Sequence, residues 1–328
     1  MRKIKNYFKK EKWANPVRNS CGTSNSARII ARPNPARGQR SVISNGAKPL
    51  LLLGVILLIS LPSYAGSIRE VNQNIERLKS IEPPFQFAVI GDSRDGDKVY
   101  VRLMERALER KPHFFVHLGD MIPHPKEKEW QKFLEISKPI DVPFFPVVGN
   151  HEIFARGRGE KLYREQFHLP EEKTYYAFRA GGILFVILDS ETGKGKIVNE
   201  QLSWLEGMLS SSEEGFKLVF IHRPLFLPRD SLKRGRVMDR YPLERDDLHR
   251  LFLKTGVKAV FEGDDHRYDR MEKDGILYLI TGGGGAPLTS FKKRGGFFHC
   301  TWISVQQERV EGEVVDLDGR IRDKFVIK

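Results

Sequence analysis

Val147-Val148-Gly149-Asn150-His151-Glu152 runs from two apolar β-branched residues through a glycine into an amide, an imidazole and a carboxylate. It reads as the end of a buried strand that turns at once into polar chemistry. The same pattern recurs along the chain. Asp92 follows the apolar run 87–90, Asp120 follows 114–118, His222 follows 218–221, and His266 comes shortly after 258–261. α/β folds gather their chemistry at the carboxyl ends of strands, and these positions carry metal-capable side chains there in order.

Between these strand ends the spacing predicts helices. Val99, Leu103 and Ala107 share one face of a helix over 98–110, and further helices are expected over 127–136, after Gln201 and over 243–254. Residues 175–180 and 183–188, joined by Gly181-Gly182, read as a β-hairpin. From residue 276 the chain is mostly strands, at 276–280, 297–304, 309–316 and 324–327. Alternating βα units with a β-rich end predict an α/β fold of two packed sheets with helices outside. Residues 227–241, rich in Arg, Asp and Lys without a periodic pattern, read as a loop beside the site.

The motifs together resemble the calcineurin-like metallophosphoesterases, and the purple acid phosphatase branch in particular. They are Gly91-Asp92-Ser93-Arg94, Gly119-Asp120, Gly149-Asn150-His151-Glu152, Ile221-His222-Arg223-Pro224 and Gly263-Asp264-Asp265-His266. Leu188-Asp189-Ser190, Gln201-Leu202 with Trp204-Leu205, and Thr281 leading into the glycines 282–285 extend the likeness over residues 85–288. The resemblance implies a four-layer αββα sandwich of two mixed β-sheets flanked by helices. It also implies two divalent ions (Mn, Fe, Zn or Mg), with a metal-bound hydroxide attacking a phosphate mono- or diester.

By that resemblance Asp120 bridges the ions, Asp92 and His266 bind the first, and Asn150 and His222 bind the second. His151 faces the phosphate and serves the leaving oxygen, with Glu152 orienting it or its loop. Asn150, His151, Arg94 and Arg223 are candidate phosphate contacts. Plainer readings stand beside these: Asp92 and Asp120 suit helix caps, Asn150 suits a turn, and Arg223 suits a salt bridge.

Two departures from the family pattern matter. Arg94 stands where the family has a ligating histidine, and a guanidinium does not bind metals. It can clamp phosphate or pair with Asp120. Nor does the chain have the tyrosine with which purple acid phosphatases compensate, because Pro123 occupies that position. Asp264 replaces the first histidine of the last motif; a carboxylate still coordinates, and it favours harder cations. These substitutions also motivate the rival reading, a non-catalytic binding protein of this fold with an impaired metal site.

The chain has 55 Lys and Arg against 42 Asp and Glu, a net charge of +13. Residues 1–65 hold 12 of the basic and one of the acidic residues, a net +11, which leaves +2 for the rest. No nucleic-acid partner is expected of so nearly neutral a domain; a phosphorylated small molecule or other phosphoester is. Residues 50–61 form an uncharged apolar run ahead of Ser63 and Ala65. That is too short to span a bilayer and reads as a signal peptide cut after Ala65. The expected organisation is a leader over 1–65, a lead-in over 66–84 and a metallophosphoesterase domain over 85–328. Export to the periplasm or the exterior follows, with membrane attachment only through an uncleaved leader; a start at Val42 would give a signal of ordinary length. Cys300 lies among Phe297, Phe298 and Trp302 and reads as buried and structural.

Overall fold

The computed structural model describes residues 68–154, 157–307 and 309–328. The signal-peptide reading falls on residues 1–65, outside the described residues.

Two six-stranded sheets carry the fold. In the first, β1 (Phe85–Ile90), β2 (Phe114–His117) and β3 (Phe144–Pro146) run parallel. Beyond β1 lie three antiparallel strands, β10 (His299–Val305), β11 (Val310–Asp316) and β12 (Ile321–Ile327). In the second, β5 (Ile183–Leu188), β6 (Phe216–Ile221), β7 (Val257–Glu262) and β9 (Ile276–Thr281) are parallel. β4 (Tyr176–Ala180) and β8 (Tyr268–Lys273) close its two edges antiparallel.

The central strands are apolar on both faces, as strands covered on both sides must be. Their inner faces meet in a layer of phenylalanines: Phe87, Phe114 and Phe145 from one sheet against Phe178, Phe185, Phe220 and Phe261 from the other. Phe145 and Phe178 stack across the layer with ring centroids 4.0 Å apart. Truncating a phenylalanine in such a layer costs roughly 3–5 kcal/mol.

The outer faces are covered by helices. Tyr100, Leu103, Met104 and Ala107 of α2 (Asp97–Glu109) and Trp130 and Phe133 of α3 (Glu127–Ile136) are buried in the core cluster of the first sheet. Leu205 and Leu209 of α6 (Asn199–Ser210), with Leu248 and Phe252 of α7 (Pro242–Thr255), pack on Val186, Val219 and Val260 of the second. The result is the αββα sandwich that the motif order implies. The lead-in helix α1 (Val71–Leu78) sinks Val71 and Leu78 into the same core.

Some elements depart from expectation. α4 (Asn150–Ile153) and α5 (Arg158–Gln166) follow the third strand, where no helix is legible in the sequence. β8 alternates charged and half-buried residues at the sheet edge. None of the described helices is long and apolar enough to cross a membrane.

Candidate metal centre

Asp92, Asp120 and Asp264 all adopt positive φ, at 58°, 53° and 58°. Non-glycine residues hold that conformation at a cost of order 1–3 kcal/mol, and such strain concentrates at functional sites. Here it lets each chain turn away from its strand end while the side chain points into the space between the sheets. Glycines make the approach possible. A Cβ on Gly149 would lie 2.5 Å from Asp120 Oδ1, and one on Gly282 would lie 2.8 Å from Asp92 Oδ2. The glycines 282–285 form a tight approach, with Gly284 N donating to Gly91 O and Ala286 N to Asp92 O, each at 2.8 Å.

Two sets of donors converge. In the first, ligand atoms of Asp92, Asp120 and His266 lie within 4.8 Å of one another. His266 Nδ1 donates to Pro287 O at 2.8 Å, which turns its Nε2 lone pair towards Asp92 Oδ1 at 3.5 Å. That Nε2 is buried and has no hydrogen-bond partner among the described residues. In the second, His222 Nδ1 donates to Leu118 O at 2.7 Å, which fixes Nε2 inward. Around Nε2 stand Asn150 Oδ1 at 3.2 Å, Asp120 Oδ1 at 3.3 Å and Asp264 Oδ1 at 3.7 Å. Asp120 thus belongs to both sets.

The electrostatics show a centre short of positive charge. Burial pushes the Asp92 carboxyl well above its ordinary range. Burial likewise opposes the His222 cation, but Asp120, Asp92 and Asp264 outweigh it and raise the imidazole to about 9. For Asp120, burial is outweighed by His222, His151 and Arg94, which bring the carboxyl down to about 2. His266 is lowered to about 4, chiefly by burial, and stays neutral. A buried lone pair without a donor, beside acceptors crowded on a second nitrogen, fits divalent cations with nitrogen and oxygen ligands.

His151 is anchored by Nδ1 to Pro123 O at 2.7 Å, and its backbone N donates to Asp120 Oδ1 at 3.0 Å. Its Nε2 is left 3.7 Å from Asp120 Oδ2. Glu152, fully buried, is the keystone of this corner rather than a partner of the imidazole. Its oxygens accept from Gly149 N and Asp120 N at 2.8 Å each, Met121 N at 2.8 Å and Ile122 N at 3.3 Å.

Arg94 pairs with Asp120 Oδ2 at 3.2 Å through Nε and with Asp95 through Nη1 at 2.7 Å. Arg223 turns away from the donor sets. Its Nε and Nη2 engage Glu191 at 2.7 Å each, and its Nη1 donates to Arg236 O at 3.0 Å. The salt-bridge reading is therefore the one the geometry realises, and the pair braces the turn after His222.

Sequence reasoning missed Lys233, whose Nζ reaches Asp264 Oδ1 at 2.8 Å from the 227–241 loop. Its neighbourhood in sequence, with Arg234 and Arg236, reads as a solvated basic stretch, and no local signal sets it apart. Two other polar residues on the strands serve the scaffold. His117 bonds Ser93 Oγ at 3.0 Å, and His299 bonds Thr281 Oγ1 at 3.0 Å.

Strand-end carboxylates and imidazoles in this order, between two stacked sheets, mark the metallophosphoesterase fold. The family model for calcineurin-like phosphoesterases matches residues 85–268, and the chain belongs to that family. Among curated relatives it is 29% identical over 188 residues to the human serine/threonine-protein phosphatase CPPED1, a match covering 51% of this chain and 59% of the relative. It is 28% identical over 182 residues to purple acid phosphatase 23 of Arabidopsis thaliana, covering 49% of this chain and 38% of that one. The chain therefore spans about three fifths or less of these relatives' length. Among solved structures, purple acid phosphatase PPD1 from yellow lupin superposes with a TM-score of 0.66 at 19% identity, over 75% of this chain and 54% of that one. GAP50, the anchor in the inner membrane complex of Plasmodium, superposes with a TM-score of 0.59 at 14% identity, over 74% and 88%. These two likenesses are of fold.

Proposed function

We propose that this chain is a metal-dependent phosphoesterase that hydrolyses phosphate mono- or diesters. The observation that carries the reading is the convergence of Asp92, Asp120 and His266, with the buried His266 Nε2 lacking a donor among the described residues. Asp92, Asp120 and His266 would hold one divalent ion; Asp120, Asn150, His222 and Asp264 would hold a second. Bound there, such ions supply an activated water and neutralise charge on the phosphoryl oxygens.

The chain's own side chains do the rest. Asp120 faces both donor sets at once and sets their spacing. Asn150, fixed against His222, carries an amide that can also meet a phosphoryl oxygen. The Pro123 carbonyl locks the His151 ring so that Nε2 is the atom able to hand a proton to the leaving oxygen. Arg94 keeps a permanent positive charge against Asp120, on the side where phosphate charge would be met.

The substrate proposed is a phosphorylated small molecule or other phosphoester, and the place proposed is outside the cytoplasm. Support for the latter lies in the apolar run 50–61 and the small residues at 63 and 65. A second reading, a binding protein without catalysis, draws on a specific observation: Asp120 and Asp264 already carry the cationic partners Arg94 and Lys233.

The test is to incubate the full chain with Mn²⁺ and assay chromogenic phosphate monoesters and diesters. Turnover that is lost in Asp120→Asn is the expected result. Bound metal with no turnover of either ester would favour the binding protein.

A further inference from the structure

Lys233 approaches the metal centre from outside every motif of the family pattern. Its ammonium lies 2.8 Å from Asp264 Oδ1, the same oxygen that stands 3.7 Å from His222 Nε2 in the second donor set. The lysine does not arrive there by chance of a long side chain. Its loop is pinned on both sides: Ser231 Oγ donates to the buried Asp265 Oδ2 at 2.6 Å, and Lys233 N donates to Ser231 Oγ at 3.1 Å. After it, Val237 and Met238 are each 1% exposed, and Arg236 O accepts from Arg223.

The two donor sets contain three carboxylates, on Asp92, Asp120 and Asp264. Two of them already face fixed cations, Asp120 facing Arg94 and Asp264 facing Lys233. A first divalent ion at Asp92, Asp120 and His266 meets a buried carboxylate, Asp92, that forms no ion pair with a Lys or Arg among the described residues, and an imidazole nitrogen with no donor there. A second ion would have to share Asp264 Oδ1 with an ammonium, at separations where like charges repel strongly. The two positions are therefore unequal by construction.

We infer that Lys233 is a built-in counter-cation of the second metal position, and that it competes with the second ion for Asp264. The wild-type chain then holds one divalent ion tightly, and takes a second only when Lys233 gives up Asp264. Asp264 couples the two positions, because its backbone N donates to both Asp92 oxygens at 3.1 Å while its side chain serves the second set. This inference rests on the metalloenzyme reading above.

The test is isothermal titration of the metal-stripped full chain with Mn²⁺ alone, with elemental analysis of the dialysed product, on wild type, Lys233→Met and Lys233→Arg. Lys233→Gln, which keeps a donor for Asp264 without the charge, stands in if Lys233→Met does not fold. The expected wild-type result is about one tightly held equivalent and a second, weaker event. A neutral residue at 233 tightens that second event by at least about ten-fold and leaves the first unchanged, while Lys233→Arg keeps it weak. Equal second-ion affinity in wild type and the neutral variants would overturn the inference while leaving the metal reading intact. No ion bound by any of the proteins would overturn both.

Discussion

Arg94 and His222 each approach a different oxygen of one carboxylate, that of Asp120. Arg94 Nε lies 3.2 Å from Asp120 Oδ2, and His222 Nε2 lies 3.3 Å from Asp120 Oδ1. By the family pattern the arginine stands at a ligand position, and it brings a positive charge to Asp120 there. It cannot donate a lone pair. Arg94→His is therefore expected to tighten Mn²⁺ binding at the Asp92, Asp120 and His266 set by about ten-fold, read by titration calorimetry. Unchanged affinity would place Arg94 outside the ligand position.

His151 owes its direction to Pro123, and its Nε2 is the proton-bearing atom of the proposed reaction. His151→Ala is expected to lower kcat by roughly 10²–10⁴ while Mn²⁺ content stays as in wild type. Burial lowers this imidazole below its usual range, so its protonated form gains population as pH falls. The His151-dependent part of kcat is accordingly expected to rise as pH falls, and steady-state rates at paired pH values check it. An unchanged kcat in His151→Ala would remove the residue from the leaving-group role.

Glu152 accepts four backbone N–H groups that belong to the turns carrying Asp120 and Asn150. Glu152→Ala leaves those buried donors without a partner and is expected to cost at least about 3 kcal/mol in urea unfolding. A loss below 1 kcal/mol would mean that water replaces the carboxylate without penalty.

His299 lies fully buried away from the proposed ligands, and burial lowers it from 6.5 to about 4. In the unfolded chain the ring takes up its proton near pH 6.5; in the fold it does so only near 4. Stability present above pH 6.5 is therefore lost as pH falls towards 4, by up to roughly 3 kcal/mol from this group. His299→Gln is expected to flatten unfolding free energy against pH across that window, measured on metal-stripped protein. An unaltered slope would show that His299 is not the group responsible.

The convergence of the candidate ligands was legible because the residues in question follow strands that sequence can recognise. Asp92, Asp120, Asn150, His222 and His266 each follow an apolar run, and Gly181-Gly182 announced the β4–β5 hairpin. α5 was not legible, since Leu162 and Tyr163 are almost the only large residues it buries among charged neighbours. Charged alternation hid β8 in the same way. Lys233 was hidden for a different reason. What aims it is the contact of Ser231 with Asp265, 34 residues apart in sequence, and no local pattern encodes that. The role of Glu152 was half visible: its place beside His151 suggested orientation, but its four N–H partners come from folding the second and third strand ends together.

Anomalous diffraction from crystals soaked in Mn²⁺ tests the metal centre most directly. The expected map holds a peak enclosed by Asp92, Asp120 and His266. Crystals loaded with the ion that show no peak among those three side chains would contradict the account.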